Sequence, residues 1–216
     1  MSIFIKIALK FLRHCHSIRA GDALDVGFQA ALGSPCPACL TSEPDGPHGF
    51  CRFCFDSLEI LRDPLCPGCG GAMDGILDLC PECLKLEPWP WMRAWSCLRM
   101  EGRARRLVHR LKYRGEAVLA RPLGSLLASR WKETGLPVDM VVPVPMHWSR
   151  VFRRGYNQSE LLSLELRRWT GIPVHSALRR VRMTPPQSGL GLLERQSNLN
   201  GAFQVNASPG VRKSVV

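Results

Sequence analysis

Eight cysteines fall into four Cys-x-x-Cys pairs, Cys36/Cys39, Cys51/Cys54, Cys66/Cys69 and Cys80/Cys83, separated by 11, 11 and 10 residues. Each pair sets two thiolates on one tight knuckle, and two knuckles complete a tetrahedral four-thiolate zinc site. Eight ligands suit two zinc ions, Zn2+ in each case. The segment also repeats internally, since CPACLTSEPDGPHGFCRFC matches CPGCGGAMDGILDLCPEC in its opening Cys-Pro-x-Cys, central Asp-Gly and closing Cys-x-x-Cys. Ligand chemistry allows the four pairs to combine sequentially or interleaved. A zinc ion closed by four thiolates has no open position, which makes these metals structural rather than catalytic. A disulfide framework is the alternative for an even cysteine count, but it belongs to secreted modules and no signal peptide precedes the pairs. His48 lies between two pairs and reads as a solvated loop histidine; Cys15 and Cys97 read as plain thiols.

A second concentration of chemistry lies in MHWSRVFRRGYNQSELL, where Arg150, Arg153 and Arg154 precede Gly155 and Asn157 can cap a helix with Glu160 at its third position. A loop feeding a helix N-terminus offers amides and a dipole to an anion, and the arginine forks suit phosphate. An exposed basic turn is the bland alternative.

The elements that must carry these residues follow from periodicity. MSIFIKIALKFLRH is interrupted by Lys6, Lys10 and Arg13 and aligns Ile3, Ile7 and Phe11, so an amphipathic N-terminal helix is expected over 1–35 in place of a leader peptide. Residues 94–100 read as a strand. RARRLVHRLKYRGE, after Gly102, carries a Leu107, Val108, Leu111 stripe and reads as a basic helix. EAVLARPLGSLLASRWKE buries Leu123, Leu126, Leu127 and Trp131 in a second helix weakened by Pro122 and Gly124. VDMVVPVP reads as a buried parallel strand bounded by proline.

Charge divides the 216 residues unevenly: +2 over 1–35, −6 over 36–90 and +15 over 91–216, with Glu87-Pro88-Trp89-Pro90-Trp91 at the break. Of the 29 basic residues 23 are arginine, which points to phosphate partners, although a GC-rich genome produces the same bias. With 45% apolar and 22% charged residues and no apolar run of 18, wholesale disorder and a membrane-spanning helix are excluded, and a cytoplasmic protein is expected.

The four cysteine pairs, LKYRGE, VVPVP, RRGYNQSELL and RMTPPQSGLGLLERQSNLNGAF, in this order over about residues 30–216, resemble the ComF (competence-protein F) family of phosphoribosyltransferase-like proteins preceded by a double zinc ribbon. The resemblance implies an α/β fold: a type I phosphoribosyltransferase-like parallel sheet with helices over 91–216, after a small double zinc ribbon over 36–90. It implies a site for 5-phosphoribosyl 1-diphosphate with Mg2+, and a role in competence and DNA uptake. Pro143, Val144 and Pro145 match the loop that approaches the pyrophosphate. Arg150, Arg153, Arg154, Asn157 and Gln158 match the Arg-Gly-x-Asn-Gln stretch, and Arg182, Thr184 and Gln187 match a flap. The family's acidic pair and Thr-Thr-Gly phosphate loop have no counterpart before the sequence ends at VRKSVV, so an incomplete sheet, a truncated domain, weak or lost binding of phosphoribosyl diphosphate and no transferase activity are expected of these 216 residues. Two rival readings remain. One is a non-enzymatic module gripping single-stranded DNA through phosphates and aromatics such as Trp148 and Tyr156; the other is an adaptor whose acidic ribbons dock basic partners, including the protein's own basic half, with DNA-uptake proteins as the expected partners of the family role.

Overall fold

A computed structural model describes residues 35–85, 91–187 and 189–206. The helix expected over 1–35 and Cys15 lie outside them, apart from residue 35. The described chain is mostly helical. A 3-10 turn at Pro47–Gly49 and two short helices, α1 (Arg52–Asp56) and α2 (Pro81–Leu84), belong to the cysteine-rich part. After them come α3 (Gly102–Tyr113), α4 (Ala120–Thr134), α5 (Trp148–Arg154), α6 (Gln158–Thr170) and α7 (Leu192–Leu199).

The predicted basic helix is α3, and it buries Ala104, Leu107, Val108 and Leu111 while Arg105, Arg106 and His109 stay exposed. Apolar residues recurring at three- and four-residue spacing put one stripe on the core, and that burial stabilises the helix. In α4 neither suspected weak point breaks the helix. Pro122 sits in the first turn, where an amide has no intrahelical partner to lose. Gly124 is where α4 meets α6: a Cβ placed on it would lie 2.3 Å from the Cβ of Glu165. Asn157 caps α6 as the sequence predicts, its side chain accepting from the Ser159 amide at 3.1 Å.

Two adjoining apolar clusters make up the core. One joins Phe50, Leu58 and Leu98 to Leu107, Leu111, Leu119, Leu123, Leu126 and Leu162, with the thiols of Cys36, Cys51 and Cys54 among them. The other joins Leu61, Leu65 and Trp95 to Leu127, Trp131, Val141 and Leu166, with the Trp95 and Trp131 rings 5.7 Å apart. Burial therefore crosses the charge boundary, and acidic ribbon and basic helices share one core.

Strand content is smaller than the α/β expectation. The named sheet is an antiparallel pair, β1 (Leu178–Arg180) with β2 (Phe203–Val205), in the register Leu178 to Val205 and Arg180 to Phe203. The expected parallel strand contributes one parallel bridge, Val141 to Val174, with bonds of 2.8 Å from Val141 N to Pro173 O and 2.9 Å from His175 N to Val141 O. Pro143 and Pro145 lack the amides that would extend this ladder. The run at 94–100 forms one antiparallel bridge, Leu98 to Ile60, with Leu61 N donating to Cys97 O and Arg99 N to Glu59 O at 3.0 Å each.

Candidate functional site

The cysteine pairs combine sequentially: Cys36, Cys39, Cys51 and Cys54 converge in one set, and Cys66, Cys69, Cys80 and Cys83 in the other, with all four sulfurs of each set within 4.8 Å. Four sulfurs about 2.3 Å from a tetrahedral zinc lie roughly 3.8 Å from one another. Cys39 and Cys51 are 3.9 Å apart and Cys69 and Cys80 are 3.7 Å apart, which fits that edge and exceeds the ~2.05 Å of a disulfide bond. The electrostatics agree. Burial and neighbouring thiols push Cys54 up to about 12 and Cys83 higher, whereas the Thr41 hydroxyl and amide hold Cys39 down to about 5. Four thiols this close cannot all ionise unaided, and a dication supplies the missing charge. Both sets can hold a metal ion such as zinc.

The ribbon loops that carry the first set are seated on the helices. Arg103 of α3 donates to Cys54 Sγ at 3.0 Å, and Arg110 donates to the carbonyls of Pro37 and Ala38, inside the Cys36–Cys39 knuckle, at 2.9 Å each. Arg110 also grips Glu116, whose carboxyl it holds below the usual range while its own pKa rises. His48 is not a solvated loop residue: it is half-buried, its Nδ1 lies 2.9 Å from Ser125 Oγ of α4, and burial lowers its pKa. Cys97 behaves as a plain thiol, pushed up to about 12 by burial.

The arginine stretch, which is helix α5 up to Gly155 rather than a loop, meets the segment around Thr184. Arg150 donates to the Thr184 carbonyl, and Arg180 of β1 donates to the Thr184 hydroxyl, fixing this buried threonine between them. Asn157 Nδ2 donates to Val144 O at 3.1 Å, which holds Pro143, Val144 and Pro145 against the start of α6. Arg154 donates to Gln158 Oε1 at 2.7 Å, and its guanidinium lies 5.1 Å from the centre of the Tyr113 ring. Two predicted residues stand apart from this meeting point. Arg182 reaches the carbonyls of Asn198, in the last turn of α7, and of Asn200 just after it, and Arg153 is exposed on α5.

Burial depresses Lys112, Arg154 and Arg180, and neighbouring cations add to each: Arg154 beside Lys112, Arg150 and Arg153 beside Arg154, Arg150 and Arg182 beside Arg180. None of these cations forms an ion pair with a carboxylate among the described residues. Like charges gathered in partial burial cost free energy, and an anion bound among them offsets that cost. Sequence reasoning missed Lys112, Tyr113 and Arg180. The Arg179-Arg180 run was a visible signal for the last; for the others only the fold brings α3 to the arginine stretch.

A second positively charged face runs along α3. Arg105, Arg106, His109, Arg110 and Arg114 line a shallow pocket of about 230 Å³. The His109 and Tyr113 rings of α3 lie 4.7 Å apart, and Arg103 of the same helix lies 5.3 Å from the Phe53 ring.

Two four-cysteine sets that could hold metal ions are seated on an arginine-rich helical body. Comparison with known proteins supplies the family. The chain is 32% identical over 184 residues to competence protein F of Haemophilus influenzae, covering 80% of this chain and 77% of that protein. It is 36% identical over 163 residues to the DNA utilization protein YhgH of Salmonella typhi, covering 73% and 71%, and 32% identical over 187 residues to YhgH of Escherichia coli K12, covering 84% and 82%. The chain belongs to this ComF/YhgH family. No family model and no solved structure matches it. Among the described residues no helix is long and apolar enough to cross a membrane.

Proposed function

We propose that the chain is a phosphoribosyltransferase-related protein serving competence and DNA uptake, that its eight paired cysteines hold two structural zinc ions, and that its arginine stretch and flap bind the diphosphate of 5-phosphoribosyl 1-diphosphate with Mg2+. The names of the relatives, competence protein F and DNA utilization protein, support the DNA-linked role. The observation that carries the ligand reading is the convergence of Arg150 and Arg180 on Thr184, in a cluster of depressed cations. Two guanidinium forks fixed by one threonine are pre-organised for bidentate phosphate contacts. The 143–145 segment, held through the Val144 carbonyl by Asn157, belongs to the same reading. Arg153, Gln158, Arg182 and Gln187 belong to the same proposed site, with Arg182 reaching it by leaving its two carbonyl partners. What the described residues supply is the diphosphate side of such a site.

A ligand that binds the folded chain raises its melting temperature by mass action. Zinc-loaded protein should therefore melt higher with Mg2+ and phosphoribosyl diphosphate than with Mg2+ alone, and Arg150→Ala should abolish the shift. An equal shift in that variant contradicts the assignment. Two zinc ions per chain by elemental analysis test the metal half of the reading.

A specific observation favours a second activity of the same protein, single-stranded nucleic-acid binding along α3. Arginines alternate there with stackable rings, His109 against Tyr113 and Arg103 over Phe53, the combination that follows a backbone and stacks bases.

A further inference from the structure

The two four-cysteine centres are fastened to the rest of the chain by different chemistry. Arg103 and Arg110 are seven residues apart, two turns of α3, and so share a face. Arg103 puts Nη1 3.0 Å from Cys54 Sγ, and Arg110 holds the Pro37 and Ala38 carbonyls of the opposite knuckle. Cys36, Cys51 and Cys54 also pack in the main core with Leu107 and Leu111. The second centre is held by neutral contacts. Its sulfurs accept from backbone amides, Gly71 N to Cys69 and Cys80 N to Cys66, both at 3.4 Å. Its knuckle is tied by Ala94 N to Pro67 O at 2.6 Å and by Trp91 Nε1 to Gly68 O at 3.1 Å. Ile76 and Leu77, between its two pairs, are exposed.

A dication with four thiolates carries a net charge of −2. A guanidinium hydrogen-bonded to one of those sulfurs offsets part of it in a half-buried setting and withdraws electron density from the sulfur. A thiolate held this way is slower to leave the metal, as outer-shell partners of metal ligands strengthen binding. We infer that the two metal centres are inequivalent: Arg103 is a positioning residue that locks the first metal, through Cys54, to the basic helix α3, while the second centre exchanges its metal independently and faster. The inference rests on the zinc occupancy proposed above. Because α3 carries both the cation-rich face and Tyr113 under Arg154, the locked centre also fixes where those groups stand.

The test uses the full chain loaded with two equivalents of zinc and challenged with a chromophoric chelator. Release should occur in two phases of one equivalent each. Arg103→Ala should speed the slow phase by about 10-fold or more and leave the fast phase unchanged. Arg103→Lys should restore part of the difference. A Cys83→Ser background disables the second centre; loaded there with cobalt, the chain should show its sulfur-to-metal charge-transfer band move to lower energy when Arg103 is replaced, a shift that altered packing alone does not produce. Should the alanine variant take up less than two metals, Arg103→Gln, which keeps an N–H donor without charge, must speed the same single phase. One uniform release phase in the unmodified chain, or an unmoved slow phase and band in the variants, overturns the inference. A chain that takes up no metal fails earlier, at the stoichiometry, and overturns the zinc reading itself.

Discussion

The phenolic hydroxyl of Tyr156 donates a 2.6 Å hydrogen bond to the carbonyl of Leu111. Leu111 lies in the last turn of α3, where carbonyls have no intrahelical donor, so Tyr156 satisfies one of them and ties the Gly155 corner to the basic helix. Replacing Tyr156 by Phe keeps the ring and removes this bond. The expected loss is about 1 kcal/mol, read as a lower urea midpoint with an unchanged slope. An unchanged midpoint would mean that water serves the carbonyl equally well.

Gly124 makes the opposite kind of prediction. Alanine is favoured over glycine in a helix by about 1 kcal/mol, but here its methyl would sit 2.3 Å from the Glu165 Cβ and force α4 and α6 apart. Overpacking of this sort costs about 1 to 3 kcal/mol, so Gly124→Ala should destabilise the chain in chemical denaturation. A stabilised variant would show that the two helices do not approach as described.

These two contacts also mark what the sequence could and could not disclose. The cysteine spacing, the Leu107, Val108 and Leu111 stripe and the Asn157 cap are local patterns, and each appears where local chemistry requires it. Gly124 read as a weakness because its partner, Glu165, is 41 residues away. Comparable or greater separations hid Arg103 under Cys54, Lys112 beside Arg154 and His48 against Ser125, since periodicity says which face of a helix is polar but not what that face meets. The sequential cysteine pairing was open for the same reason. VDMVVPVP reads as a strand because it is an apolar run of strand length, yet two of its residues are prolines and the ladder stops at Val141.

Lys112 supplies a pH-dependent expectation. Burial, with Arg154 beside it, lowers its folded pKa below the ordinary value of 10.5. A lysine of this kind destabilises the fold while both states are protonated; the penalty fades as pH rises through the lowered folded pKa toward the unfolded one. Lys112→Met should therefore be more stable than the unmodified chain at pH 7, by a margin that narrows toward pH 10. A margin that widens with pH contradicts the sign.

The α3 face should bind a single-stranded oligonucleotide with affinity that falls steeply as salt rises, because each neutralised phosphate releases counterions. Replacing Arg105 and Arg106 together by Ala should flatten that salt dependence, and Tyr113→Ala should weaken binding at every salt concentration. Unaltered affinity in both variants, measured by fluorescence anisotropy, would remove α3 from the interface.

The most direct test of the account is calorimetric titration of the zinc-loaded chain with Mg2+ and phosphoribosyl diphosphate, and in parallel with Mg2+ and inorganic pyrophosphate. Two forks fixed on Thr184 read the diphosphate, so both ligands should bind with one site per chain, and Arg150→Ala and Arg180→Ala should each weaken both by at least 10-fold. Absence of binding heat for either ligand, or tight binding that survives both substitutions, would contradict the claim that the arginine stretch and the flap form a diphosphate site.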